Sequence, residues 1–425
     1  MLAFIGLATV LVAVLLLVSG RLSPLVTFVV VPLLGACAAG VDLAQAQKLV
    51  ASGMSTVAPI VALFIFAILF FSIMNEQGLF EPLIRALLKF AGDHPHRVLM
   101  VTVVVAAMVH LDGAGATTYV VTITALLPIY QRLNIDVRHL PMLAGMSAGI
   151  MNMEPWTPAT LRAASALHLD PVLLWRPLWS VQVAGLVFAL GLAWWLGQRR
   201  RPVVEGVGVA ATAAAPARTV DVPLWRRIAN GVLTAAVIAA MLFSGISTVL
   251  VLMVGVAIAL PLNYKGASAQ MATVRRHSAE ALLLAAVLLC AGVFLGVLNG
   301  SGMLTAVSNE IVAVIPVSLG HWVHIIVGAF ATPLGMMFGS DSYYFGIMPV
   351  LVSVGQAHGV TPDAVARALM IGENVGFAIS PVVGSAYLAA GLAGVEFGAH
   401  IRHSLLYTWG VALAMLGVAW AVGAV

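Results

Sequence analysis

Two short polar stretches, each set inside an apolar run, contain side chains suited to binding a charged solute. The first is MVHLDGAGATTYVVT, residues 108–122, and the second is FGSDSYYFGIM, residues 338–348. Each combines a carboxylate, Asp112 or Asp341, with small residues and hydroxyl groups. Hydroxyls and the backbone N–H groups at a helix start can donate hydrogen bonds to a carboxylate, and the helix dipole favours an anion there. The two stretches therefore predict a site for an anionic small molecule.

Five titratable side chains lie within apolar runs and are candidates for coupling to protons or cations: His110, Asp112, Glu154, Asp341 and Glu373. A carboxylate at the bilayer centre costs about 2.5–3.5 kcal/mol on insertion scales, so a chain rarely keeps four of them without a function. For each of the four carboxylates, Glu154 and Glu373 above all, the alternative is an ordinary charge nearer the membrane surface. For His110 the alternative to a proton relay is a hydrogen bond within its own segment.

Hydroxyl and guanidinium groups near these carboxylates could complete the site. The hydroxyls are Thr117, Thr118, Ser340 and Ser342, each of which either donates to a substrate or bonds back to the preceding helical turn. Arg162 lies about two helical turns beyond Glu154. It either pairs with a substrate carboxylate or extends to the outer membrane interface.

An interrupted helix follows each polar stretch. The interruptions are GIMNMEPWTPAT, residues 149–160, and GENVGFAISPVVGSAY, residues 372–387. Proline removes a backbone donor and glycine loosens a helix, so carbonyl groups and half-helix N-termini become available near the membrane midplane. The alternative for either segment alone is a kink in a packed helix. Two breaks at equivalent positions, each beside a polar stretch, favour a substrate cavity.

The elements that must position these groups are membrane helices. The chain has 425 residues, of which 62% are hydrophobic and 8% charged, with a mean hydropathy of +1.07. This composition excludes an ordinary soluble domain and predicts an all-α polytopic membrane protein. The net charge of +4 comes from basic residues in the loops, as the positive-inside rule expects, so no nucleic-acid partner is predicted.

The apolar arms around each polar stretch are too short to cross the bilayer. Each arm has about 15 residues, or about 22 Å of helix, whereas the hydrocarbon core is about 30 Å thick. We therefore predict two re-entrant helical hairpins, at about 97–131 and 324–357, whose polar tips are tolerated only inside protein or a water-filled cavity.

The pattern of spans, hairpin and interrupted helix occurs twice. Apolar runs at 3–18, 24–40 and 57–75 are matched by runs at 228–245, 247–262 and 280–298. A shift of 226 residues places Pro155 on Pro381 and Asp170 on Glu396. These features predict two inverted repeats, residues 1–198 and 224–425, with broken helices at about 139–167 and 364–393. The Arg-rich segment 199–223 is predicted to be a cytoplasmic linker, which makes both termini external.

One soluble-enzyme motif also occurs. Residues Gly145 to Gly149 match G-x-S-x-G around Ser147, but that motif requires a turn between a strand and a helix. Here it lies in an apolar helical run, where the two glycines favour close helix packing. An intramembrane enzyme using Ser147 and His110, or a pore-forming channel, are the alternatives from other functional classes.

Four segments together resemble a known family. HLDGAGATTYVVT, NMEPW with the following Thr160 to Ala163, SDSYYFGIMPVL and SPVVGSAYLAAGLAGVEFGAH are similar to the citrate-Mg/Ca:H symporters, the metal-citrate/proton symporters of the ion transporter superfamily. The similarity runs over nearly the whole chain. It implies a homodimer in a bacterial-type cytoplasmic (inner) membrane, with a scaffold domain and a transport domain that moves as an elevator.

The resemblance also implies a substrate, a coupling ion and site residues. The substrate would be citrate complexed with a divalent cation of the Mg or Ca type, carried with protons. No other cofactor and no metal held by the protein alone are expected, because a hard, oxygen-ligated ion would arrive chelated by the substrate. With the two breaks included, the predicted substrate-binding residues are Asp112, Gly113, Gly115, Thr117, Thr118, Asn152, Pro155, Arg162, Ser340, Asp341, Ser342, Tyr343, Asn374 and Ser380.

The chain departs from the family pattern in the first polar stretch and in the first helix break. Ala114 stands where the family has a second acid, Thr157 and Pro158 replace a glycine pair, and Glu154 is an added acid. The alternative substrates are therefore free di- or tricarboxylates, transported or exchanged without metal.

Overall fold

The computed structural model describes residues 1–19, 21–198, 222–314, 320–381 and 383–425, which fold into helices without a strand. In the first half these helices are α1 Leu2–Val18, α2 Pro24–Ala38, α3 Leu43–Glu76, α4 Glu81–Ala91, α5 Pro95–Val109, α6 Gly115–Arg132, α7 His139–Met151, α8 Pro158–Leu167, α9 Pro171–Trp175 and α10 Trp179–Gln198. In the second half they are α11 Leu224–Phe243, α12 Thr248–Asn263, α13 Ala267–Gly300, α14 Met303–Val314, α15 Val323–Ala329, α16 Ala331–Asp341, α17 Met348–Ala357, α18 Pro362–Gly376, α19 Gly384–Leu392 and α20 Phe397–Ala421. All but two residues of the predicted linker 199–223 lie outside the described residues.

The helices confirm a multi-pass membrane protein. Within the described residues, six helices are long and apolar enough to cross a membrane: Leu43–Glu76, Pro95–Asp112, Pro171–Gln198, Leu224–Phe243, Ala281–Gly300 and Phe397–Ala421. Pro95–Asp112 is the first arm of the first hairpin, so the prediction that this arm is too short to cross is wrong, because the helix continues through the tip to Asp112. The predicted all-helical fold class with broken helix pairs is therefore confirmed. The second break lies between α18 and α19, which are bent by 46° relative to each other.

Two helices are much longer than the sequence predicted. The apolar runs 57–75 and 280–298 lie in candidate spans, as predicted, but they belong to α3 and α13, helices of 34 residues that begin well before those runs. The start of α3 is fixed by Asp42, whose side chain accepts a hydrogen bond from the Gln45 N–H at 2.7 Å. A hydropathy pattern misses such a start because the first turns of the helix are polar and exposed.

The two long helices cross in opposite directions. Gly53 of α3 lies directly against Gly292 of α13, whereas the earlier Leu49 contacts Gly296 and the later Val57 contacts Gly292. Residue numbers therefore rise along one helix as they fall along the other. Because the crossing brings glycine backbone onto glycine backbone, the two helices approach more closely than larger side chains would permit.

The order of elements repeats between the halves, down to matching helix caps. Asp170 accepts hydrogen bonds from two backbone N–H groups at the start of α9, and Glu396 does the same at the start of α20. These two residues are the pair that the 226-residue shift superimposes. Free N–H groups at a helix start require such acceptors, so the match reflects the same local structure in both halves.

The second hairpin reverses direction at Gly339. The arm α15–α16 runs alongside α18 with contacts from Gly328 to Ala368 and from Thr332 to Gly372. After Gly339, with φ 65° and ψ 157°, the chain runs back along the same helix. The returning contacts, in chain order, are Tyr344 to Glu373 and Gly355 to Val365.

Buried side chains form two separate hydrophobic cores. The first core joins α5 to α8, α10, the second hairpin and α18 to α20. The second core joins α1 to α3 with α11 to α14. Trp156, in the break between α7 and α8, packs into the second core, as do Leu161 and Ala166 of α8 and Phe345 of the second hairpin. The helices that carry the polar tips and breaks thus share the first core, which packs against the second core.

Candidate functional site

The first tip is a tight turn around Asp112. The carboxylate accepts a hydrogen bond from the Ala114 N–H at 2.8 Å and another from the Asn75 side-chain amide at 3.1 Å. The next residue, Gly113, has φ 72°, a conformation that strongly favours glycine. Its backbone packs on α8, where an added Cβ would lie 3.0 Å from the Pro158 ring.

A histidine and a threonine join the two arms of the first hairpin. The Thr118 hydroxyl donates to the Ala114 carbonyl at 2.9 Å and lies 2.9 Å from Nδ1 of His110. Because that hydroxyl has only one proton, the His110 Nδ1–H is assigned as the donor to it. Of the alternatives left open by the sequence, His110 hydrogen bonds within its hairpin and Thr118 bonds back to its own helix.

The second tip pairs its carboxylate with an arginine. Oδ1 of Asp341 accepts a hydrogen bond from Nε of Arg162 at 2.8 Å, in an ion pair whose side chains are 25% and 14% exposed respectively. Arg162 therefore pairs with an acid of the protein itself, a partner that neither alternative from the sequence included. The two tip acids are not equivalent, because Asp112 precedes its positive-φ glycine whereas Asp341 follows Gly339 by two residues.

A hydrogen-bonded chain connects the two helix breaks with the second tip. The Asn152 amide donates to the Asn374 side-chain oxygen at 2.8 Å, and the Asn374 amide donates to the Tyr344 hydroxyl at 3.0 Å. Tyr344 in turn donates to Glu373 at 2.6 Å, and Ser340 donates to the other oxygen of Glu373 at 2.8 Å. Glu373 is therefore buried with both of its oxygens accepting hydrogen bonds.

The helix α8 brings the two tips together. Gly113 packs on Pro158 at the start of α8, and Asp341 pairs with Arg162 one turn later. Just before α8, Pro155 is buried in the break, and the Trp156 indole N–H donates to the Leu111 carbonyl at 2.9 Å. Both tips therefore lie against the first two turns of one helix.

Other predicted residues have different surroundings. Glu154 is buried and lines a cavity of about 560 Å³ with Trp175, Trp179 and Phe243, away from both tips. Tyr343 uses its hydroxyl to donate to the Leu369 carbonyl at 3.1 Å. The remaining residues contact the hairpin arms or the second break: Ser380 donates to the Met336 carbonyl, Gly115 packs against Phe377 and Ser385, Ser342 is buried and Thr117 is half-buried.

The G-x-S-x-G motif lies on α7 and packs against the second break. A Cβ at Gly145 would overlap the Ala378 side chain, and a Cβ at Gly149 would overlap the carbonyl oxygen of Asn374. Ser147 is fully buried in this helix. The predicted close packing is confirmed.

A scan of family models matches the citrate transporter model, CitMHS, to residues 4–372. The chain belongs to the citrate transporter family. Two relatives from Bacillus subtilis (strain 168), a citrate transporter and a Mg(2+)/citrate complex secondary transporter, are 32% and 33% identical. Each alignment covers 100% of this chain and 99% of the relative. These proteins and the family are transporters, so the chain is not placed among enzymes.

A solved transporter shares the fold of this citrate transporter family member. The crystal structure of the Alcanivorax borkumensis YdaH transporter, described as having an unusual topology, matches with a TM-score of 0.64 at 16% identity. The match covers 90% of each chain. At this identity the comparison supports the architecture alone.

Three residues at the site of this family member were not predicted from the sequence. Each donates a hydrogen bond: Asn75 to the Asp112 carboxylate, Trp156 to the Leu111 carbonyl in the first tip, and Tyr344 to the Glu373 carboxylate. Asn75 offered a signal, since it is a polar residue at the end of the apolar run of α3. For Trp156 and Tyr344 the signal was only their position inside the quoted motifs.

The tips offer few oxygen ligands for a divalent ion carried as part of the substrate. Each tip offers one carboxylate, and each carboxylate is already engaged, by amide donors at Asp112 and by a guanidinium at Asp341. Hard divalent ions prefer six or more oxygen ligands. One carboxylate from the protein would therefore add to an oxygen shell supplied mainly by the substrate.

Proposed function

We propose that this chain is a secondary active transporter that carries citrate complexed with a divalent metal, together with protons, across the cytoplasmic membrane. The observation that supports this substrate most strongly is the Arg162–Asp341 ion pair between α8 and the second tip. A metal-citrate complex presents both a cation and free carboxylate oxygens. It can therefore provide a new partner for each member of the pair.

The exchange of partners keeps the site electrostatically balanced. Separating Arg162 from Asp341 without replacement would leave two poorly solvated charges, a change that typically costs several kcal/mol when the pair is buried. A citrate carboxylate facing Arg162 and a metal ion facing Asp341 restore both interactions. Free citrate satisfies only Arg162, because it brings further negative charge towards Asp341. The ion pair thus favours the complexed substrate over the free carboxylate.

Glu373 is the carboxylate best placed to couple protons to the second tip. Its two oxygens accept hydrogen bonds from Ser340 and Tyr344, so both are acceptors in the present arrangement. A proton added to either oxygen turns that oxygen into a donor and displaces a hydroxyl hydrogen. If the displaced donor is Ser340, protonation directly changes the tip that binds substrate. Asp112, Asp341, Glu154 and His110 remain candidates for the same role.

The two hydrophobic cores support an elevator mechanism. In this proposal the first core, with both hairpins and broken helices, is the transport domain, and the second core is the scaffold. The antiparallel crossing of α3 and α13 supports inverted repeats spanning 1–198 and 224–425, joined by a cytoplasmic linker at 199–223. A homodimer in a bacterial-type inner membrane, with the scaffold at the dimer interface, completes the proposal.

Uptake into liposomes tests the transport proposal. Purified protein should accumulate labelled citrate only when a divalent ion and an inward proton gradient are both present. Accumulation that persists in a chelator would overturn the metal-citrate form and favour the alternative of free di- or tricarboxylates. Accumulation that is unchanged when the proton gradient is collapsed would overturn proton coupling. Counterflow of labelled against unlabelled citrate should be saturable, which a channel would not show.

A further inference from the structure

A second cluster of titratable side chains lies away from the tips, at the opposite end of α7. Asp136 is in the turn that follows the first hairpin, His139 is the first residue of α7, and His403 is in the second turn of α20. One donor atom from each residue lies within 4.8 Å of the other two. Three separate segments therefore bring nitrogen and oxygen donors to one point.

The two imidazoles meet nitrogen to nitrogen. Nδ1 of His139 lies 3.0 Å from Nε2 of His403, and the ring planes are inclined by 43°, so the rings are not stacked. In tetrahedral zinc sites the metal–nitrogen distance of about 2.0–2.1 Å places neighbouring ligand atoms about 3.3 Å apart. The two nitrogens share a hydrogen bond, so binding an ion requires the donor nitrogen to give up its proton and the pair to separate by about 0.3 Å.

The third donor is held in place by a neighbouring arginine. Nε of Arg138 lies 3.0 Å from Oδ1 of Asp136, Nη2 lies 2.6 Å from Oδ2, and the Asp136 side chain is 10% exposed. Ligating carboxylates usually have such outer hydrogen bonds, which fix their orientation. One oxygen can stay with Arg138 while the other turns to an ion. The guanidinium charge opposes a cation, so we expect moderate rather than tight binding.

We propose that Asp136, His139 and His403 form a binding site for a transition-metal ion of the Zn²⁺ type, separate from the ion carried with citrate. Imidazole ligands favour Zn²⁺, Ni²⁺ and Cu²⁺, whereas Mg²⁺ and Ca²⁺ prefer an all-oxygen shell. All three residues lie on elements of the first core. The ion therefore joins parts of one body and stabilises that body, without tying it to the second core.

Equilibrium binding of Zn²⁺ to tag-free protein in citrate-free detergent solution tests the site. Competition with a chromogenic chelator should give one Zn²⁺ per chain, and Mg²⁺ in excess should not displace it. Zn²⁺ should also raise the unfolding temperature, because it binds the folded state. Loss of an outer-shell partner alone weakens metal sites about 10–100-fold, so His139→Gln and His403→Gln should each weaken binding at least about tenfold.

A matched control separates this site from other histidines. His321 is an exposed histidine in another part of the chain, so His321→Gln should retain wild-type binding. Equal binding by His403→Gln and wild type would overturn the proposal, and so would a wild-type protein that binds no Zn²⁺. Should both histidine variants fail to fold, the visible absorption spectrum of Co²⁺ bound to the wild-type protein tests the site instead. Visible absorption bands of a nitrogen-ligated low-coordinate ion support the site, and their absence overturns it.

Discussion

Asp112 and Asp341 carry the same charge at the two tips but are stabilised in different ways. Asp112 accepts hydrogen bonds from neutral amide groups, one of them on α3 of the second core. Asp341 is neutralised by Arg162, which belongs to the first broken helix. Asp112 therefore connects the first tip to the second core, whereas Asp341 holds the guanidinium group of Arg162 within the site.

Replacing either tip acid with its amide should greatly reduce transport. Asp112→Asn and Asp341→Asn keep the size of the side chain but remove the charge. A charge-assisted hydrogen bond contributes about 1.5–3 kcal/mol, so citrate uptake should fall about 10- to 100-fold. Folded protein should be retained, since both side chains are only partly buried.

Asp93 offers a matched control for these variants. It is an exposed acid paired with Arg132, so Asp93→Asn should leave uptake unchanged. Full activity in Asp112→Asn or Asp341→Asn would remove that residue from the site.

Glu373→Gln should uncouple uptake from the proton gradient. Glutamine keeps one oxygen acceptor for Ser340 or Tyr344 but cannot take up or release a proton in the transport cycle. We expect counterflow of citrate to persist while accumulation driven by a pH gradient is lost. Glu310→Gln, at an exposed acid on α14, should retain both activities. Accumulation at the wild-type level in Glu373→Gln would assign proton coupling to another carboxylate.

At the level of elements, the hairpins and breaks could be predicted because polar residues, glycine and proline interrupt apolar runs at two matching places. The partners of those residues could not. Asn75 and Asp112 are 37 residues apart, and Asn152 and Asn374 are 222 apart, so their contacts depend on how the two halves pack. That Glu154 does not line either tip could not be predicted for the same reason. The turn in the break sets the direction of its side chain, and hydropathy does not report that turn.

Glycine contacts between helices predict a specific stability difference. Gly149 of α7 lies against the backbone of Asn374, so Gly149→Ala requires α7 and α18 to separate. Overpacking of this kind typically costs about 1–3 kcal/mol, which should lower the thermal unfolding temperature in detergent. The contact also borders Asn152 and Asn374, so uptake should fall with stability.

Gly191 of α10 is the control for that substitution. An added Cβ there meets no atom within 4 Å, and alanine favours a helix by about 1 kcal/mol over glycine. Gly191→Ala should therefore unfold at the same or a higher temperature than wild type. Equal unfolding temperatures for Gly149→Ala and Gly191→Ala would show that α7 and α18 do not pack as closely as described.

On the scale of the whole molecule, side chains of the first break, of α8 and of the second hairpin connect the two cores. The Asn75–Asp112 hydrogen bond links α3 to the first tip, and the Trp156 ring stacks on Phe71 of α3 with centroids 5.2 Å apart. Both contacts join the first core, which carries the site, to the second core. In an elevator cycle the first core slides past the second, so these contacts must break and re-form.

A reversible cross-link between the cores should therefore stop transport. In a background with Cys37→Ser and Cys290→Ser, the pair Phe71→Cys and Trp156→Cys replaces the stacked rings. Oxidation should abolish citrate uptake, and reduction should restore the rate of the untreated variant. The pair Glu76→Cys and His277→Cys links α3 to α13 within the second core, where the native side chains lie 3.0 Å apart, and its oxidation should leave uptake intact. Undiminished uptake by a fully cross-linked Phe71 and Trp156 pair would mean that the two cores do not move past each other at this contact.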